Sequence, residues 1–238
     1  MACPCHVLVD NVQIMTKLNL PEPGSSEAVG LLDRCRKIGT ATWSDAMDEL
    51  NIDGVVSGLP MRSGSGRCAG FVATAHGEVR ALGGFELREF GQDRMVASAG
   101  PTQVLVVTIG GAEVSAMGGI VALSAYNKGI EGVVIDGACR DIDDIRRGGL
   151  WVASRHVTPR SGKRRVRLGL FGEPVPLDGH AVHAGDLLVG DATGLVVVPR
   201  ASIRDVLARA ERVHHSDAGL ERAVASGLAL NDASAAQH

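Results

Sequence analysis

Arg140-Asp141 is the pair of residues in this chain whose types and placing could do chemistry on a small acidic molecule. A carboxylate at a strand end can hold Mg2+ or Mn2+, with waters and substrate oxygens filling the octahedron. The arginine beside it offers a planar fork to a carboxylate, or to negative charge developing on a keto oxygen. Upstream, Gly118-Gly119 opens an apolar run. A helix starting there leaves the N–H groups of Ile120 and Val121 free to bind an anion. Together these groups would cage a 2-oxo acid by its keto and carboxylate oxygens. With a metal as electron sink, a C–C bond could then break and release pyruvate. The same pair could equally tie down its loop as a local ion pair, and residue types alone leave both readings open.

The elements around the pair must place it. Val104-Leu105-Val106-Val107 reads as a buried strand, which Gly110-Gly111 ends. From Gly118 to Lys128 the apolar residues Ile120, Val121, Leu123 and Ala125 follow a helical period. Lys128-Gly129 closes that helix with a cation in its last turn and a glycine just beyond. Val133-Val134-Ile135 is a second short strand, and a glycine-loosened loop, Asp136 to Asp141, follows it. Strand, helix and strand make a βαβ unit with parallel strands and a right-handed crossover. Ligands of such units bind beyond the carboxyl ends of the strands. The fold class is therefore α/β, with a central βαβ unit and flanking helices.

The stretch GGIVALSAYNKGIEGVVIDGACRD, Gly118 to Asp141, resembles the signature of the RraA-like proteins. These include the 4-hydroxy-4-methyl-2-oxoglutarate/4-carboxy-4-hydroxy-2-oxoadipate aldolases, members once called demethylmenaquinone methyltransferases, and regulators of ribonuclease activity. TATWSDAMDELNIDG from Thr40, the strand opening Gly70-Phe71-Val72-Ala73-Thr74, and the run from Pro174 to Pro199 are similar to the family too, so the likeness spans residues 30–225. It implies a single β/β/α swivelling domain, assembled as a homotrimer or homohexamer with active sites at subunit interfaces. It implies that Asp141 holds a divalent metal, Mg2+ or Mn2+, and that Arg140 contacts the pyruvate moiety. The amides around Gly118, Gly119, Ile120 and Val121 would bind the substrate carboxylate. An acid from a neighbouring subunit would assist, a place that Glu211, Asp217 or Glu221 could take. The activity implied is that of a metal-dependent lyase, aldolase or oxaloacetate decarboxylase in type, releasing pyruvate from an acidic 2-oxo compound. The family's alternative is a non-catalytic regulator that binds a protein partner such as a ribonuclease. One residue departs from the pattern. The aldolases carry an acid directly after the glycine matching Gly118, where it organises the water that takes the substrate's hydroxyl proton. This chain has Gly119 there. Either another acid substitutes, with Glu113 nearest in sequence, or the reaction moves toward decarboxylation, which removes no hydroxyl proton.

Composition bounds the rest. The chain has 238 residues, long enough for one sizeable domain and short for two. It is 45% hydrophobic but only 3% aromatic, so Val, Leu, Ile and Ala must build the core, as in a sheet covered by helices. A net charge of −3 carries no polyelectrolyte signal for nucleic acid. No apolar run approaches the ~20 residues that span a membrane. The N-terminus lacks the charged and apolar regions of a secretion signal, and five scattered cysteines make no disulfide framework. A cytoplasmic location is the expectation.

Residues 1–27 read as an arm and linker, with Cys3, Cys5 and His6 too tightly spaced for a metal site. Residues 28–226 read as the domain and 227–238 as a flexible tail. A helix is expected over Glu27–Ile38. A second begins near Thr40, capped by Thr42 or Ser44, with Asp45 near its positive end. Strands are expected at Val55–Pro60, Ala69–Ala75 and Leu150–Ala153. Loops holding His76 and Glu86 fill 61–67 and 77–93. Arg160 to Arg167 suggests a hairpin with a basic face that could steer an acidic substrate or bind nucleic acid, the second disfavoured by a single basic run without interleaved aromatics. His180 and His183 read as surface residues, and an amphipathic helix over Ala201–Ala225 closes the domain.

Overall fold

A computed structural model describes residues 20–235, so Cys3, Cys5, His6 and most of the expected arm lie outside the described residues. One ten-stranded mixed sheet dominates. Its strands run in the order β1 (Val55–Val56), β12 (Leu195–Val198), β11 (Leu187–Gly190), β3 (Cys68–Val79), β4 (Gln103–Thr108), β6 (Gly132–Cys139), β7 (Trp151–Val157) and β2 (Met61–Ser63). β5 (Ser115–Met117) adds to β6, and β8 (Val166–Gly169) adds to the far end of β3. The centre, β3-β4-β6-β7, is parallel, and the outer pairs are antiparallel. These central strands are near-continuous Val, Leu, Ile and Ala because both of their faces are covered.

Alternation along β3 shows how. Phe71, Ala73 and Ala75 point to the helical face, and Val72 points to the other. On the helical face, α1 (Ser26–Cys35), α2 (Thr40–Asp48) and α6 (Ile203–Ala225) bury Leu32, Trp43, Met47 and Leu207 against Phe71, Val189 and Val198. Beside them α3 (Gln92–Ala97), α4 (Gly119–Asn127) and α5 (Ile142–Gly148) bury Met95, Ala122, Ala125 and Ile145 against Leu105, Val107, Val133 and Ile135. The opposite face is covered by a hairpin, β9 (Val175–Leu177) with β10 (His180–Val182). Its Val175, Leu177 and Val182 meet Val72, Val104, Val106 and Val134. The expected α/β architecture around a βαβ unit is thus observed, with β4, α4 and β6 as that unit.

α4 has the expected limits, with Gly118 as its N-cap and Gly129 in left-handed conformation (φ 77°) just past Lys128. β6 is longer than the sequence suggests. Residues Asp136 to Cys139, expected as a loop, are strand, because β5 supplies a parallel partner at that level through Ser115↔Ala138 and Met117↔Cys139. Gly137 does not loosen anything there. A Cβ on it would sit 2.3 Å from Ile109 Cγ1, so glycine lets the loop after β4 close onto β6.

Other expectations shift with tertiary pairing. β3 runs on to Val79 because β8 pairs with it, which takes His76 out of the expected loop; its ring meets Thr108 Oγ1 at 2.9 Å. The expected loops at 61–67 and 77–93 contain β2, a 3-10 turn (Leu87–Phe90) and the start of α3. The basic segment forms no hairpin with itself: Ser161 bridges to Ser115, and β8 pairs with β3. α2 is capped neither by Thr42 nor by Ser44, and Asp45 lies inside the helix. The acid at its start is Asp191, from beyond β11, which accepts from Thr40 N (3.0 Å) and Thr40 Oγ1 (2.7 Å). The expected flexible tail includes a short helix, α7 (Leu230–Ala235), with Ala233 buried.

Candidate functional site

The site lies where β5 and β6 end and α4 begins. Arg140 N donates to Met117 O at 3.0 Å, stapling the two strand ends beside the Gly118-Gly119 corner. No side chain of the N-cap residue caps α4. Instead Gly119 N–H donates to Asp141 Oδ2 across 3.2 Å. The next N–H groups, of Ile120 and Val121, have no acceptor inside the helix and point out of its positive end.

Asp141 begins α5 in the left-handed region, φ 56° and ψ 41°. A non-glycine residue holds that conformation at a cost of about 1–2 kcal/mol, which aspartate bears better than most. Its side chain does not cap its own helix and turns to α4. Arg140 Nε stands 3.6 Å from the same Asp141 oxygen, with the side chains 34% and 42% exposed. A pair so open to solvent adds little stability. Among the described residues, Asp141 Oδ1 and the terminal nitrogens of Arg140 have no partner. The structure therefore brings together Arg140, Asp141, Gly118, Gly119, Ile120 and Val121, the whole set that the sequence singles out.

Both glycines of the corner face side chains of the site, and only at Gly119 is the nearest atom one that a change of rotamer cannot move. A Cβ on Gly118 would lie 2.6 Å from Asp141 Oδ2 and 3.1 Å from Arg140 Nε. A Cβ on Gly119 would lie 2.7 Å from Asp144 Cβ and 3.3 Å from Asp144 Oδ2. Asp144, on the first turn of α5, is a residue that the sequence reading does not single out. Its other oxygen, Oδ1, is held by the guanidinium of Arg147. Glu113, the acid nearest to Gly119 in sequence, is exposed on the loop after β4, and the atoms nearest the missing Gly119 side chain belong to Asp144 and Asp141. The signal for Asp144 was available: an acid three residues after Asp141 comes round to the same side of a helix.

The surroundings are basic and partly apolar. Arg160 O accepts from Ser115 N at 3.0 Å, which lays the exposed Arg160, Lys163 and Arg164 segment along β5, the strand leading into Gly118. On α4, Ile120 is 87% exposed, Leu123 50% and Tyr126 52%, an apolar strip beside the site. Of the acids considered for a neighbouring subunit, Glu211 is engaged within its own chain. It takes both Arg34 nitrogens at 2.8 Å, and this pairing lowers its pKa. Asp217 and Glu221 are exposed on α6. His180 bonds Val55 O and His183 stands beside Asp186, so neither belongs to the corner.

A second polar row crosses the opposite sheet face. His76, Thr108 and Asp136 are in register on β3, β4 and β6, and Asp136 Oδ1 accepts from Arg155 Nε at 2.6 Å. Single polar residues at alternate positions of apolar strands were its sequence signal. The described cysteines, Cys35, Cys68 and Cys139, are buried free thiols; burial pushes Cys35 and Cys68 up to about 12, so they are inert.

The fold and the corner define a class: an α/β protein with a solvent-facing arginine-carboxylate pair beside a helix N-terminus at a strand end. The RraA-like family model (Aldolase/RraA) matches residues 40–197, and the chain belongs to that family. A protein of Pseudomonas syringae pv. tomato, uncharacterized, has a similar structure with a TM-score of 0.78 and 30% identity, over 90% of this chain and 99% of that one. A 4-hydroxy-4-methyl-2-oxoglutarate aldolase of Thermus thermophilus is 32% identical over 124 residues, 52% of this chain and 74% of the relative. An uncharacterized protein of Methanocaldococcus jannaschii is 33% identical over 127 residues, and the match spans only 61% of its length.

Proposed function

We propose that the chain is a divalent-metal-dependent lyase that cleaves a C–C bond in an acidic 2-oxo compound and releases pyruvate. The observation that carries this reading is the convergence of Arg140, Asp141 and the free first-turn amides of α4 on one exposed corner. Asp141 fits a hard cation. It presents one unpartnered carboxylate oxygen; no group of three His, Cys, Asp or Glu stands together here or elsewhere among the described residues, so waters and substrate oxygens would have to fill the rest of the shell. Mg2+ or Mn2+ held at Asp141 would supply Lewis-acid stabilisation of charge on the keto oxygen.

The chain's own residues do the rest. The Ile120 and Val121 N–H groups bind the substrate carboxylate at the helix N-terminus. The Arg140 fork spans carboxylate and keto oxygen and fixes the plane of the 2-oxo group. Gly118 and Gly119 leave room for the Asp141 and Asp144 side chains to stand against the start of α4. Arg160, Lys163 and Arg164 add positive potential that draws an anionic substrate in. The apolar strip of α4 beside this corner supports the assembly into trimers or hexamers, in which a neighbour would close the site.

The test is pyruvate release from a panel of 4-hydroxy-2-oxo acids and oxaloacetate, with and without Mg2+ or Mn2+. Metal-dependent release that Arg140→Ala removes is expected. A chain inert toward the whole panel, yet captured by a ribonuclease, would replace this reading by that of a non-catalytic regulator.

A further inference from the structure

We propose that Asp144 is a second substrate-facing carboxylate of the site, the acceptor for the hydroxyl of a 4-hydroxy-2-oxo acid, and so the residue that sets its preference for retro-aldol cleavage over decarboxylation. This rests on the lyase reading above. The geometry is that of the glycine corner. Each missing side chain leaves its space to one carboxylate: Gly118 to Asp141 and Gly119 to Asp144. Asp141 Oδ2 is already engaged by Gly119 N–H and Arg140. Asp144 Oδ1 is engaged by Arg147, so Oδ2 is the oxygen left, and it is the one turned to Gly119.

The chemistry needs such an acceptor. In retro-aldol cleavage the C3–C4 bond breaks and its electrons pass to C3 and the C2 keto oxygen. The hydroxyl O–H electrons form the new carbonyl at C4, and the hydroxyl proton leaves through a water held at the carboxylate. C3 then takes up a proton from water to give pyruvate. Decarboxylation of oxaloacetate breaks a C–C bond to CO2 and presents no hydroxyl. An acceptor beside Gly119 therefore serves one reaction and not the other.

The experiment compares wild type, Asp144→Ala, Asp144→Asn, Gly119→Asp and the double variant Gly119→Asp/Asp144→Gly, which removes the Asp144 Cβ that a side chain at 119 would strike, in one Mn2+-loaded preparation. Turnover is measured on 4-hydroxy-4-methyl-2-oxoglutarate and on oxaloacetate, and thermal unfolding confirms the fold of each. Asp144→Ala and Asp144→Asn should lower retro-aldol kcat by about 10²–10⁴-fold, the worth of a positioned proton-transfer group, and change the kcat of decarboxylation by far less. Gly119→Asp alone should destabilise the chain by collision. The double variant relieves it and should recover at least tenfold of the lost retro-aldol rate. Equal loss on both substrates, or no loss in the two Asp144 single variants, would overturn the proposal. A wild type inactive on both substrates would instead remove the lyase reading beneath it.

Discussion

At the scale of single residues, Asp141 combines two duties that substitution can separate. It presents a carboxylate, and it holds a left-handed backbone at the start of α5. Alanine loses both, whereas asparagine keeps the left-handed preference and loses the charge. Asp141→Asn should therefore abolish calorimetric Mn2+ binding at nearly wild-type stability. Asp141→Ala should also unfold more easily, by about 1 kcal/mol. Retained Mn2+ affinity in the asparagine variant would place the metal elsewhere. Arg140→Lys keeps charge but loses the planar fork, so steady-state kcat/KM should fall well beyond what a retained cation suggests. Near-wild-type kinetics would reduce Arg140 to a generic positive charge.

At the scale of elements, α2 is started by a residue from the far side of the chain. Burial works against the Asp191 carboxylate, but hydrogen bonds from Thr40 and Thr193 outweigh it and hold the pKa below the ordinary 3.8. A lowered carboxylate stabilises the fold above its unfolded pKa, and this contribution is lost as pH falls through the folded value. Asp191→Ala should therefore cost about 1 kcal/mol at neutral pH, the usual worth of a helix-starting acceptor. The gap in denaturant midpoint between wild type and variant should close below pH 3.8; a gap unchanged at acid pH would exclude this role. Asp191 also marks the boundary of what sequence could tell. α4 and its capping glycines were legible because helical period and caps are local signals. The extra length of β3 and β6 was not, because β8 and β5 reach them from distant parts of the chain. In the same way Arg140-Asp141 was legible as a motif and the spacing of Asp144 from Asp141 was there to be read, while the approach of Asp144 to Gly119 depends on how α4 and α5 meet.

At the scale of the whole molecule, the exposed Ile120, Leu123 and Tyr126 form an apolar strip that a lone chain would leave in water. The expected assembly is a trimer, or a hexamer of trimers, with this strip at its contacts. Sedimentation should show that assembly at micromolar protein for wild type, and smaller species for Ile120→Asp. A wild type that is a stable monomer would end the idea. The glycine corner has one more consequence, for how sequences of this type can change. While Asp144 stands where it does, position 119 cannot acquire a side chain without collision. A lineage moving an acid from 144 to 119 must first pass through glycine at 144, shift the start of α5, or tolerate a strained intermediate. The two arrangements are therefore separate branches of sequence space, divided by a step that no single substitution crosses without loss.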